Sequence, residues 1–338
     1  VNQMSAQVLN KLMEMQEPIG GFPWFKGGRV NDAITIHLAE GFAQLQTIAP
    51  NPPKVEGMML KTIAYLDTQF LTQERENGLN NLWVDYMFAR TYYGDVPSDK
   101  RDIWERFLSR LEAEWLSLPI QKRAKAALVL HRSGRKSAAK TIVRHFMEYS
   151  ATDETHGMFW VENVSGYLWH QAPVETQVLL IELFRESGQD RAVAEMTRWL
   201  LRHRQMQHWP STKATSAAIY SLITNVQTQQ IASLEIRLPK PDAILDEALK
   251  QSPQTVNSDW TGGQISFEPK ITIKNKSDIP GTGSLTLEYY QASDSVKSHR
   301  SKELNIKRTM YKKSSGSSLM PQVTNDTTLQ VGDLIVIR

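Results

Sequence analysis

Asn80-Asn-Leu-Trp-Val-Asp-Tyr-Met-Phe-Ala-Arg-Thr-Tyr-Tyr93 is followed by Asp102-Ile-Trp-Glu-Arg-Phe-Leu-Ser-Arg-Leu-Glu-Ala-Glu-Trp115, and the contrast between the two decides the fold. The first is apolar nearly all round, which suits a helix packed on every side. The second is heavily charged and keeps one stripe, Ile103, Phe107, Leu111 and Trp115, at the three-to-four spacing of a half-buried helix. Outward from this pair the alternation recurs five times over the first 225 residues. The helices expected inside are Asn31–Ile48, Asn80–Tyr93, Gln121–His131, Val174–Glu186 and Ser211–Thr224. Between the first two lies another striped helix, with Val55, Met59, Ile63, Leu66 and Phe70. Alternating doubly and singly buried helices of similar length predict two concentric rings of helical hairpins, an α/α toroid.

Composition sets wide limits. The chain has 338 residues, 41% of them hydrophobic, enough for one large core and a smaller one, and it contains no membrane-spanning apolar run. The 39 basic and 36 acidic residues give +3, too little to select nucleic acid or an anionic membrane by field alone. Locally, Gln121–His145 carries eight Lys or Arg and no acid, and Asp294–Lys313 carries seven bases against two acids. Without interleaved aromatics or an RNA-binding motif, both stretches read as solvated faces. Zero cysteines exclude disulfides, zinc-thiolate sites and thiol nucleophiles from this chain. The first residue is Val1, so an excised fragment is expected, and the lack of a signal peptide leaves export open.

The helical pattern stops near Asn225, and β-branched alternation with turn residues takes over from Ala232. Strands are expected at Ser233–Leu238, Gln264–Phe267, Lys270–Lys274, Ser284–Gln291, Glu303–Tyr311 and Asp333–Arg338. Asn275–Gly281 supplies a turn and Ser314–Ser318 a flexible connection, and a seam near Ala292–Arg300 divides two β units. The last strand runs to the final residue, as in a sandwich that continues further.

Three loops entering inner helices are aromatic: Gly20-Gly-Phe-Pro-Trp-Phe25, Gly157-Met-Phe-Trp160 running on to Trp169, and His208-Trp-Pro210. In a toroid such loops share one mouth, where Trp24, Phe25, Phe159, Trp160, Trp169 and Trp209 either line a ligand pocket or plug the ring end. The plug is the stronger reading, and on it the loss of Trp24 costs about 3–5 kcal/mol. Asp32, Asp153, Glu154, Glu162 and Glu175 lie near the same mouth, but their spacing marks no acid–base pair. Asp32 and Glu175 occupy first-turn positions, where an acid complements the helix dipole. The eight histidines include no His-x-x-x-His pair, and His203 and His208 are five apart, so no metal site is expected. Ser211-Thr212 reads as a helix cap, and Gly-x-Ser-x-Gly, Walker and dinucleotide-binding loops are all missing, so no catalytic residue and no cofactor is assigned.

Gly20–Phe25 followed by Asp32-Ala-Ile-Thr-Ile-His37, and later Trp209-Pro-Ser-Thr-Lys-Ala-Thr-Ser-Ala-Ala218, resemble repeated segments of the thioester domain of bacterial α2-macroglobulins. Ile271-Thr-Ile-Lys-Asn-Lys-Ser277 and Pro280–Tyr290 are similar to the CUB strands that return after that domain. Leu304–Tyr311 and Val331–Val336 resemble the opening of the C-terminal macroglobulin-like sandwich. The resemblance implies a toroid over 1–228, a CUB-like segment over 229–293 and the start of the last sandwich over 294–338. It further implies a non-enzymatic, cell-envelope or periplasmic protease inhibitor, whose partners are target proteases and the other domains of a longer chain. The family's Cys-x-Glu-Gln thioester has no counterpart in this cysteine-free sequence. Either it precedes Val1, since five hairpins are visible where the family has six, or the parent belongs to a branch without a thioester. The rival class is a carbohydrate-binding or carbohydrate-active toroid, which requires two carboxylates facing each other roughly 5–9.5 Å apart across the mouth.

Overall fold

The computed structural model describes residues 2–71, 80–204, 208–228, 234–237, 272–275, 309–313, 321–324, 326–331 and 333–337. By backbone proximity the chain divides into two units, Val1–Thr282 and Gly283–Arg338. The described residues are mostly helical, with a few short strands.

The first unit carries α1 (Asn2–Met15), α2 (Asp32–Ile48), α3 (Pro53–Phe70), α4 (Asn81–Arg90), α5 (Arg101–Glu114), α6 (Ile120–Arg132), α7 (Lys136–Glu148), α8 (Pro173–Glu186), α9 (Asp190–Arg202) and α10 (Thr212–Thr228). Local chemistry fixes their starts. The Asn31 side chain accepts from the Ile34 amide at 3.0 Å to cap α2, and the Asn80 side chain accepts from the Trp83 amide at 2.9 Å to cap α4. Prolines, which lack the amide hydrogen that would be orphaned there, open α3 and α8.

Helix α2 packs on α4, α4 on α6, α6 on α8 and α8 on α10, and α10 returns to α2, which closes a circuit. Outside it, α3 lies on α2 and α4, α5 and α7 lie on α6, and α9 lies on α8. Burial follows position. Every residue of α6 from Ile120 to Leu130 is buried, as are Thr176 to Phe184 of α8, whereas α7 buries one stripe of Ala139, Ile142, Val143 and Phe146. In α5 the buried stripe is Trp104, Leu108 and Leu111. That is one residue round from the expected Ile103, Phe107 and Trp115, which sit at its edges, because Phe107 is drawn onto Trp83 with ring centres 3.9 Å apart.

Two sequence expectations need correction. Helices α2 and α10 are not covered on all sides: Leu45 and Ile219 are exposed, although their helices are as apolar as the fully buried ones. The basic stretch Gln121–His145 is not a solvated face over its first half. Lys122, Arg123 and Lys125 are buried within α6, because each finds an acid or an imidazole on a neighbouring element; Lys136, Lys140 and Arg144 of α7 do face solvent.

Glycine is required where two loops touch helices. Gly20 has φ +99°, and a Cβ there would lie 2.3 Å from the Lys61 carbonyl oxygen; at Gly157, φ is +74° and the corresponding gap to the Glu195 oxygen is 2.2 Å. Gly157 begins β2 (Gly157–Phe159), which pairs antiparallel with β1 (Ala151–Asp153) in a hairpin absent from the sequence reading. Also in this unit, β3 (Leu234–Arg237) pairs antiparallel with β4 (Thr272–Asn275), with Leu234 opposite Asn275. In the second unit β5 (Met310–Lys313) pairs antiparallel with β6 (Leu334–Ile337), Met310 opposite Ile337. The strands expected at Gln264–Phe267 and Ser284–Gln291, the turn at Asn275–Gly281 beyond its first residue, and the Ser314–Ser318 connection lie outside the described residues.

One buried ion pair secures α3 to α4. Asp67 accepts from Arg90 Nε at 3.0 Å and from the Tyr86 hydroxyl at 2.6 Å, while the other guanidinium nitrogens reach the Tyr93, Gly94 and Asp95 carbonyls that follow α4. Arg90→Ala leaves the carboxylate buried without its counterion, so denaturant unfolding is expected to show a loss of roughly 3–5 kcal/mol.

Candidate functional site

The five inner helices surround a cavity of about 940 Å³. Helix α2 contributes His37 and Glu40, α4 Asp85, α6 Lys122 and Lys125, α8 Glu175, and α10 Lys213, above an apolar lining that includes Ile36, Phe42, Val178 and Tyr220. The rim carries the loop Leu168–His170.

Charge inside the cavity is arranged in a chain. Lys122 donates to both Asp85 oxygens, at 2.5 and 2.6 Å; Lys125 lies 2.9 Å from Asp85 and 2.7 Å from Glu40. The Lys125 ammonium also stands 4.9 Å from the centre of the Phe88 ring, a cation–π contact. Burial acts to raise the Asp85 carboxyl, but the Lys125 and Lys122 ammoniums outweigh it and hold the group below the usual carboxylate range. Burial and the neighbouring Lys125 lower Lys122, against the pull of Asp85. Burial lowers His37 as well; Glu40 opposes this, and Lys213 and Lys125 reinforce it. At the rim, Lys213 lies 3.8 Å from Glu175 and 4.9 Å from the centre of the Trp169 ring.

The aromatic residues read from the loops separate into two groups. Trp24 and Trp169 meet edge to face at 6.2 Å and are 59% and 54% exposed, and Phe25 is exposed beside Trp24 in sequence. Trp160 and Trp209 are core: they are 2% and 4% exposed, and their indole N–H groups donate to the Phe146 and Leu200 carbonyls at 2.9 and 2.8 Å. Phe159 is partly buried against the same core. The packing cost expected at Trp24 therefore falls on Trp160 and Trp209.

Of the five carboxylates considered from sequence, only Glu175 lines the cavity. Asp32 accepts from the Tyr65 hydroxyl at 2.7 Å, and Asp153 accepts from the Thr155 and His156 amides within the β1–β2 turn. The Glu154 carbonyl accepts from Arg198. Glu162 pairs with Arg123, whose other nitrogen meets His145 at 3.0 Å, in a separate small pocket. Ser211 caps α10 by accepting from the Ala214 amide at 3.0 Å. His203 stacks on Trp199 and His208 bonds to the Trp209 carbonyl; among the described residues no acidic and histidine cluster fits a metal.

Glu40, Asp85, Lys122, Lys125 and Lys213 escaped the sequence reading. The signal was present, since Asp85 interrupts the run Leu82-Trp-Val-Asp-Tyr-Met-Phe88, and a charge inside an otherwise apolar helix demands a buried partner.

No protein-family profile matches the chain, and no curated protein does. Among solved structures it is similar to native α2-macroglobulin from Escherichia coli, in a crystal structure spanning domain MG7 to the C-terminus, with 13% identity and a TM-score of 0.46. That match covers 68% of this chain and 35% of the other. It is also similar to trypsin-activated α2-macroglobulin from Escherichia coli, with 12% identity, a TM-score of 0.44, and coverage of 79% of this chain and 16% of that one. The chain thus spans about a third of the first solved chain, itself a fragment, and about a sixth of the second, and the similarity is remote.

Two outcomes follow from this geometry. Trp160→Ala is expected to lower stability by about 3–5 kcal/mol in thermal or denaturant unfolding, while Trp24→Ala stays close to the parent. Because the native Asp85 carboxyl is held below its ordinary value of 3.8, its contribution is present above about pH 4 and lost as pH falls through the native value. Denaturant unfolding at pH 5 and pH 3 should therefore show a smaller acid-induced loss in Asp85→Asn than in the parent chain.

Proposed function

We propose that this chain is part of a non-catalytic protease trap of the bacterial α2-macroglobulin type, acting in the cell envelope or periplasm. In this reading 1–228 is the α/α toroid, 229–293 the returning CUB strands and 294–338 the opening of the terminal macroglobulin-like sandwich. A protease cuts a bait segment elsewhere in the parent protein, and the toroid with its β partner moves as one module to confine it. The observation that carries the proposal is the closed succession of α2, α4, α6, α8 and α10, whose first and last members are headed by the two segments quoted for the resemblance. Among the described residues, no helix is long and apolar enough to cross a membrane.

The cavity chemistry weighs against a glycosidase. Its three carboxylates, Glu40, Asp85 and Glu175, each have a lysine ammonium as neighbour, and at Asp85 the Lys125 and Lys122 ammoniums hold the carboxyl below the usual carboxylate range, whereas a general acid must hold its proton near neutral pH.

The test uses the natural full-length protein containing this chain, incubated with a broad-specificity protease. The expected result is a changed scattering profile after cleavage, together with a protease that still turns over a small chromogenic peptide but no longer digests a folded protein. A cleaved protein with an unchanged profile and an unrestrained protease contradicts the proposal.

A further inference from the structure

Lys213 stands out among the cavity lysines. Lys122 and Lys125 each donate to carboxylate oxygens at hydrogen-bond distance, but the nearest acid to Lys213, Glu175, is 3.8 Å away, and no oxygen of the described residues accepts a hydrogen bond from its ammonium. Its other neighbour is the face of Trp169. The remaining acids within electrostatic reach, Glu40 and Asp85, are already committed to Lys125 and Lys122. His37 does not compete for an anion, because burial favours its neutral form. An ammonium partly withdrawn from water, with its one ion-pair partner beyond hydrogen-bond distance, can receive a closer acceptor.

The surroundings define the rest of the ligand. The cavity that Lys213 lines is also walled by Ile36, Leu38, Phe42, Leu45, Leu179 and Ala217, and about 940 Å³ suits a small organic molecule. Helix α10 begins at Thr212 with no acid in its first turn, so its positive end reinforces the lysine charge at the rim.

We propose that this cavity binds an organic carboxylate with an aliphatic body, the head group accepting from Lys213 at the rim beside Trp169 and the chain lying along the apolar wall between α2 and α10. The site is independent of protease confinement and requires no chemistry beyond reversible binding. Glu175 limits affinity by facing the incoming carboxylate.

Octanoate is the probe, with 1-octanol as its neutral counterpart, titrated into the chain with Trp fluorescence and calorimetry as readouts. Saturable one-to-one binding of octanoate is expected, with 1-octanol weaker by about tenfold or more, the ratio set by a charge-assisted hydrogen bond. Lys213→Gln should weaken octanoate by a similar factor while leaving 1-octanol unchanged, Lys213→Arg should retain most of the affinity, and Glu175→Gln should tighten it. Thermal melts of each variant separate lost binding from lost folding, and Lys213→Arg serves as the folded reference. The proposal is overturned if octanoate fails to saturate, if 1-octanol binds as well, or if Lys213→Gln, folded as the parent, binds octanoate unchanged.

Discussion

Helix α6 is buried along eleven consecutive residues while carrying three basic side chains inside that span, and the rest of the helical unit is arranged to meet this constraint. A lone ammonium or guanidinium in such surroundings is prohibitively costly, so each must find an acid or an acceptor on a neighbouring element. Lys122 is met by Asp85 of α4, Lys125 by Asp85 and by Glu40 of α2, and Arg123 by Glu162 in the loop before α8 and His145 of α7. Arg132, at the far end, reaches Glu182 and Glu186 of α8 and lies over the Tyr92 ring at 4.3 Å. Burial lowers Arg132 as an isolated group; the acids and tyrosine around it outweigh this and raise it. These pairs tie α6 to α2, α4, α7 and α8. Removing one partner of a buried pair leaves an uncompensated charge behind.

The alternation of helix character was legible in the sequence because a helix buried on all sides and a helix buried on one differ in composition at every turn. Position within the alternation survives even where detail does not, as in α5, where stacking of Phe107 on Trp83 rotates the buried stripe. The basic character of α6 misled for a physical reason: a charge run is normally solvated, and only the three-dimensional neighbourhood reveals that Asp85, Glu40 and Glu162, from 37, 85 and 39 residues away, are its partners. The aromatic loops were legible as a group but not in their division. Trp24 and Trp160 both follow a glycine-led aromatic loop, yet one is exposed against Trp169 and the other is in the core with its indole N–H satisfied by Phe146.

The candidate site arises where these two facts meet. Pairing draws the cations of α6 toward α4 and α2, and the incomplete coverage of α2 and α10 leaves an apolar wall and the weakly matched Lys213 open at the helix beginnings. The interlocked helix circuit is a rigid module of the kind that the proposed protease confinement requires. The cavity proposed to bind a carboxylate is a separate feature that the proposed movement does not require.

Native-state hydrogen exchange measured residue by residue tests the central claim that α6 is the element on which the helical unit depends. The account predicts that the amides from Ala124 to Leu130 are the slowest in the chain, and that those of α4 and α8 share their opening free energy, because no one of these helices can leave without stranding charge in the others. Exchange of α6 through a local opening of lower free energy, while α4 and α8 stay protected, would contradict it.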